Sequence, residues 1–192
     1  RLIIRADDNL IENVRFYQND GFLKIWSTER VESAEEYEII LTVRTLERLE
    51  GFKGSDITFK GELEFEELLV EMDLGSDLVF IGNGEKFKGI FHNGSDLILS
   101  GEIKVIDLLS EEGSDAFLDN FRSEFLKARF VDGTDVRLIG FSNETNIESF
   151  LGSDILGEDF STDFCVIRLE HGSDAILGVN KRLDAIIEGG SE

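Results

Sequence analysis

The chain has 192 residues, with 41 acidic against 19 basic side chains and a formal charge of −22 at neutral pH. So negative a surface repels phosphate backbones and anionic headgroups, which argues against nucleic-acid and membrane-surface partners. No apolar run reaches the 18 or so residues that a transmembrane segment needs. The lone Cys165 excludes an internal disulfide and leaves the redox compartment open, while the 41% hydrophobic content is enough for a continuous core. The chain opens at Arg1 without a signal-peptide pattern, so the expectation is a cytoplasmic chain or a mature, excised one.

In chain order, Leu2-Ile3-Ile4 reads as a short strand. Asn13 to Phe16, the turn Asn19-Asp20-Gly21 and Leu23 to Trp26 read as a β-hairpin, because Asp-Gly supplies the two positive-φ positions of a tight turn. Tyr37 to Val43 offers a further strand, and Leu46, Leu49 and Phe52 lead to the first glycine corner at Gly54. A solenoid needs its end rung covered, so residues 1–53 are expected to form an N-terminal β-hairpin cap, with a separate binding lobe as the alternative.

From Gly54 the chain repeats. Gly-Ser/Thr-Asp recurs at Gly54, Gly75, Gly94, Gly113, Gly133, Gly152 and Gly172, in steps of 21, 19, 19, 20, 19 and 20 residues, and Gly190-Ser191-Glu192 follows 18 residues later. A fixed step of about 20 residues marks stacked repeats. Three residues after each Gly stand Ile57, Leu78, Leu97, Ala116, Val136, Ile155 and Ala175; five after stand Phe59, Phe80, Leu99, Leu118, Leu138, Gly157 and Leu177. Counting back from the next Gly, the seventh position holds Leu68, Phe87, Ile106, Leu126, Thr145, Cys165 and Leu183. The fifth and third positions are also mostly apolar, so the period is two, which specifies strand and not helix. The absence of Pro suits a stack in which every backbone N–H pairs with the next rung. The predicted fold is an all-β parallel β-helix with at least two strands per turn. Residues 54–192 make about seven rungs, roughly 34 Å long at one strand spacing per rung.

The Asp column is Asp56, Asp77, Asp96, Asp115, Asp135, Asp154 and Asp174. Carboxylates stacked at about 4.8 Å repel by roughly 0.9 kcal/mol even in water. A charged hydrogen bond from a corner N–H, worth about 1.5–3 kcal/mol, offsets that. The expected role is therefore a corner ladder without metal, because Ca²⁺-binding β-rolls use a denser Gly/Asp pattern. The neighbouring column, Ser55, Ser76, Ser95, Ser114, Thr134, Ser153 and Ser173, reads as a hydrogen-bonded ladder and not as a nucleophile. A catalytic Ser needs a base in reach; His92 and His171 lie four turns apart, roughly 19 Å along the stack, so they are not expected to share a site or a metal, and although either could serve one Ser alone, a column of near-equivalent hydroxyls reads as a ladder. Cys165 falls in an inward column, where a small buried thiol is ordinary. No catalytic, cofactor-binding or metal residue is assigned.

The outward column four residues after each Gly reads Thr58, Val79, Ile98, Phe117, Arg137, Leu156 and Ile176. Five of these seven are apolar where a solvated face would be polar. An apolar strip of Val79, Ile98, Phe117, Leu156 and Ile176 on so charged a chain suggests a protein contact surface. On the opposite strand Arg129, Glu148 and Arg168 stand where they can pair across rungs.

The string RADDNLIENVRFYQNDGFLKIW, Arg5 to Trp26, followed by units such as GSDLVFIG and GSDLILSG, resembles the head domain of putative auto-transporter adhesins, the GIN-domain family. The resemblance covers essentially the whole chain. It implies a right-handed β-helix in an exported protein of the periplasm, outer-membrane surface or exterior of a Gram-negative bacterium. The function expected is a non-enzymatic adhesive or protein-binding scaffold, meeting protein or glycan at the cell surface or another copy of itself, with no cofactor. Two alternatives remain: a polysaccharide-binding or polysaccharide-cleaving β-helix, and a purely structural spacer.

Overall fold

The computed structural model describes residues 1–31 and 33–192, and its contacts divide the chain into two compact units, Arg1–Arg44 and Thr45–Glu192.

In the first unit β1 (Leu2–Ala6) pairs antiparallel with β4 (Tyr37–Leu41), while β2 (Val14–Asn19) and β3 (Phe22–Ser27) form the hairpin. Asp20 and Gly21 both have positive φ, at 45° and 82°, the pair that a two-residue turn between right-twisted strands requires. A short helix α1 (Asp8–Ile11), which the sequence pattern did not announce, links β1 to β2 and buries Leu10. The Asp7 carboxylate accepts the Glu35 and Glu36 N–H groups at 2.9 and 3.1 Å, fastening the approach to β4.

The second unit is a parallel β-solenoid of about seven turns at ~19 residues per turn, in a chain that is 69% strand. Seven long strands carry it: β7 (Leu63–Asp73), β8 (Leu78–Phe91), β9 (Leu97–Glu111), β10 (Ala116–Val131), β11 (Asp135–Phe150), β12 (Asp154–Glu170) and β13 (Ala175–Ile187), each hydrogen-bonded to the next in parallel. At the other end β5 (Arg48–Phe52) pairs with β7, and β6 (Ile57–Thr58) with β8. β5 precedes the first Gly-Ser-Asp and runs parallel with the solenoid strands, Arg48 opposite Leu69 and Phe52 opposite Asp73.

At least two strands per turn were expected; the first turn holds two, β6 and β7, whereas from β8 onward one long strand runs through the turn, with register shifts in the later ladders, as between Leu118 and Phe121. The full corner comes only at the repeat glycine. There the chain takes two successive left-handed residues, such as Asn93 and Gly94 at φ 54° and 69° or Leu151 and Gly152 at 59° and 71°. Gly tolerates this conformation and most L residues resist it, which is why the repeat is punctuated by Gly.

The inward columns form one core. Leu78, Leu97, Ala116, Val136 and Ile155 are 1–2% exposed, and Phe80, Leu99, Leu118 and Leu138 are 0–1%. Phe80 is ringed by Phe59, Phe65 and Phe87 at centroid distances of 4.9, 5.7 and 5.6 Å. Rings of that size at those distances add edge-to-face attraction to area burial.

Candidate contact surface and corner ladders

The serine of each repeat turns inward. Ser76, Ser95, Ser114, Thr134, Ser153 and Ser173 are all fully buried. Each hydroxyl oxygen has work to do: Ser76 Oγ accepts the Ser55 N–H at 3.1 Å, Ser95 Oγ the Ser76 N–H at 3.1 Å, and Ser114 Oγ the Ser95 N–H at 3.0 Å. The same pattern resumes from Thr134 through Ser153 and Ser173 to Ser191. The hydroxyl proton goes to a carbonyl of the corner, as from Ser76 to Asp73 O at 2.9 Å. Ser76 Oγ is thus engaged on both sides in a dry interior, and its bonds satisfy backbone groups of the corner. His92 Nδ1 lies 3.2 Å from Glu111 and His171 Nδ1 3.7 Å from Glu170, both at the surface.

The aspartate of each repeat turns outward; Asp154 is half-buried and the others exposed. Asp77 Oδ1 accepts the Asp96 N–H at 3.2 Å, Asp96 that of Asp115 at 2.9 Å, and Asp115 that of Asp135 at 2.9 Å. The Asp154 N–H goes instead to Thr134 O at 3.1 Å. Above it Asp154 accepts the Asp174 N–H, and Asp174 the Glu192 N–H at 2.9 Å. Among the described residues no three His, Cys, Asp or Glu side chains converge as a metal cluster.

Stacking carboxylates has an electrostatic consequence. Burial, together with the charges of Asp115 and Asp77, raises the Asp96 carboxyl above its ordinary value of 3.8 against the opposing pull of the Asp115 N–H; burial and the Asp115 and Asp154 charges raise Asp135 likewise. A raised folded-state value means that the favourable contribution is complete below pH 3.8 and is lost as pH climbs through the folded-state value. Asp96→Asn keeps the oxygen that accepts the Asp115 N–H and removes the charge. Its expected outcome is a higher Tm at pH 7 and no gain below pH 3.8 in paired melts; a lower Tm at pH 7 would contradict this account.

Burial pushes the Cys165 thiol up to about 11, leaving it protonated at neutral pH. A protonated, enclosed thiol is a packing group.

Thr58, Val79, Ile98, Phe117, Arg137, Leu156 and Ile176 stand in direct register across β6 and β8 to β13. Ile98, Leu156 and Ile176 are 41%, 54% and 52% exposed, while Val79 and Phe117 are half-buried. Arg137 interrupts the apolar line, but its guanidinium lies over the Phe117 ring at 5.3 Å, so its stem continues the surface. From Val79 to Ile176 is five strand spacings, about 24 Å. The exposed Asp column runs two residues to one side, so an apolar line is edged by carboxylates.

On the opposite strand Arg129 pairs with Glu148 across one rung at 3.1 Å, whereas Arg168 turns to Glu170 of its own strand. Both guanidinium groups lie against the Phe150 ring, at 5.1 and 5.8 Å. Cation–π contact with a ring two residues along explains what charge alternation alone did not reveal. A groove of about 320 Å³ on this face is lined by Phe125, Glu144, Asn146, Phe164 and Arg182 among others.

The sequence profile of the family described as "Putative auto-transporter adhesin, head GIN domain" matches residues 1–129. No curated protein and no solved structure matches the chain.

Proposed function

Because the chain belongs to the family of putative auto-transporter adhesin head GIN domains, we propose that it is an exported, non-catalytic scaffold that binds protein at the bacterial surface through the strip of Val79, Ile98, Phe117, Leu156 and Ile176. The observation that carries this reading is the register: five apolar residues that alternation should have made polar fall on one straight line of a chain with a charge of −22. Half-exposed apolar side chains flanked by carboxylates suit a partner with an apolar centre and a basic rim, the arrangement of a desolvated interface core inside a polar border. The Asp column serves here as a corner cap that needs no metal. The burial of the hydroxyl column and its engagement with backbone groups of the corners favour binding over hydrolysis.

The test replaces Ile98 and Phe117 together with Lys. Both side chains reach solvent, so the fold is expected to survive with little loss, and circular dichroism melts check it. Immobilised wild-type chain is expected to retain protein from a native cell-surface extract in a manner competed by free wild-type chain, and the double variant to retain at least roughly tenfold less, a loss of about 1.4 kcal/mol or more. Unchanged retention on an intact fold overturns the assignment of the strip.

A further inference from the structure

The outward phenylalanines of β10 to β12 collect the chain's own cations. Arg137 lies over Phe117 at 5.3 Å, Arg122 over Phe141 at 5.3 Å, Arg129 and Arg168 over Phe150, and Lys181 over Phe164 at 5.4 Å. Among the described residues Phe125 alone of this set has no cation over its ring. It stands one rung before Glu144, and Phe164 one rung after, in direct register. Glu144 is equally unspent: its side chain is exposed and, among the described residues, its carboxylate makes no ion pair and no hydrogen bond. The cations at neighbouring positions of this face are engaged elsewhere, Lys127 with Asp107 at 3.8 Å, Arg129 with Glu148, Lys181 with Asp163 at 2.7 Å and Arg182 with Asp184 at 2.9 Å. Phe125, Glu144 and Phe164 line the groove of about 320 Å³, with Asn146 and Val166 in the next outward column. Phe164 and Val166 are 42% and 50% exposed although β12 has β11 on one side and β13 on the other, so their exposure belongs to the outer face of the solenoid and not to an end of the stack.

We propose that this groove binds a small compound carrying a quaternary ammonium group, with the cation over Glu144 and between the rings of Phe125 and Phe164. Rungs lie about 4.8 Å apart, so a cation seated over Glu144 stands within the ~6 Å of both ring columns at which cation–π attraction acts. The carboxylate adds direct Coulomb attraction, and a chain of −22 draws cations to its surface before contact. The volume suits a small ligand. Lys181 shows the same pairing within the chain: its ammonium reaches Phe164 from β13, its charge offset by Asp163. Full methylation of the bound ammonium follows from the lining. A primary ammonium brings three N–H donors, and the groove offers them one unpaired carboxylate beside the Asn146 amide. A trimethylammonium group needs no acceptor and sets its methyl groups against Phe125, Phe164 and Val166.

Titration of the isotope-labelled chain with choline, followed by backbone amide shifts, tests the proposal. Saturable shifts clustered at Phe125, Glu144, Asn146 and Phe164 are expected, with a Kd on the order of 1 mM. Dimethylbutanol, the neutral carbon isostere of choline, is expected to bind at least roughly tenfold more weakly, and ethanolamine, its primary-amine analogue, at least roughly threefold more weakly. Glu144→Gln keeps the shape and removes the charge, at an exposed position where the fold survives, and is expected to weaken binding roughly fivefold. Phe125→Leu keeps an apolar side chain and removes the ring, and is expected to weaken it roughly threefold. The Ile98 and Phe117 double variant is expected to bind choline as the wild type does, which separates this groove from the strip. Absence of saturable shifts, equal affinity for dimethylbutanol or ethanolamine, unchanged affinity in Glu144→Gln or Phe125→Leu, or binding lost in the strip variant each overturns the proposal.

Discussion

Gly140→Ala is expected to lower the Tm by about 8–16 °C, the shift for roughly 4 kcal/mol in a chain of this size. Gly140 has φ of +141°, far outside what an L side chain accepts, and a Cβ built there would sit 2.1 Å from Phe121 O and 3.0 Å from Phe121 N. The neighbouring atoms are backbone of the adjacent rung and cannot swing away. The register places Gly140 between Phe121 of β10 and Phe160 of β12, whose rings stack across it with centroids 5.6 Å apart and planes at 15°. A methyl group there must displace a rung and break the stack, so the cost exceeds the ~1–3 kcal/mol of backbone strain alone. Gly113→Ala is the control. Its φ of +69° is left-handed, but a Cβ there meets nothing within 4 Å, so only the local penalty of about 1–2 kcal/mol applies. Equal losses in the two variants would contradict the close-approach argument.

Phe80→Ala is expected to cost about 3–5 kcal/mol, the usual range for removing a buried aromatic ring from a core that cannot collapse around the void. Its ring is fully buried against three others, and the rungs on either side are held at strand spacing by their backbone ladders. That spacing restricts relaxation, so the upper part of the range is expected in denaturant or thermal melts. Phe52→Ala, at a position 42% exposed, is the comparison and is expected to cost less than about 1.5 kcal/mol. A loss at Phe80 no larger than at Phe52 would mean that the inward column does not carry the core.

Both predictions rest on the architecture of a stack in which each rung contacts its neighbours. A lesion at Gly140 or Phe80 therefore acts on the two interfaces beside it, whereas variants of the outward strip leave those interfaces alone. Stability and association are separable in this fold for that reason.

The repeat spacing, the inward columns and the hairpin turn were legible in the sequence because each depends on local chemistry: Gly at left-handed corners, period-two alternation, and Asp-Gly at a two-residue turn. The strip could also be read, since alternation says which face Ile98 and Leu156 must take. Other features needed three dimensions. The residue before each corner glycine, such as Leu151 or His171, is also left-handed, and its residue type gives no sign of it. The serine ladder turned out to be an interior network because the corner rotates that side chain inward while aiming the next one, Asp, at solvent. Whether Arg168 pairs with Glu148 or Glu170 depends on the ring of Phe150 beside it, and the need for Gly at position 140 depends on two phenylalanines about 20 residues away on either side. Local conformational preference and alternation are properties of a few adjacent residues, so one sequence suffices to read them. Contacts between rungs join positions a full turn apart, and their geometry exists only once the turns are stacked.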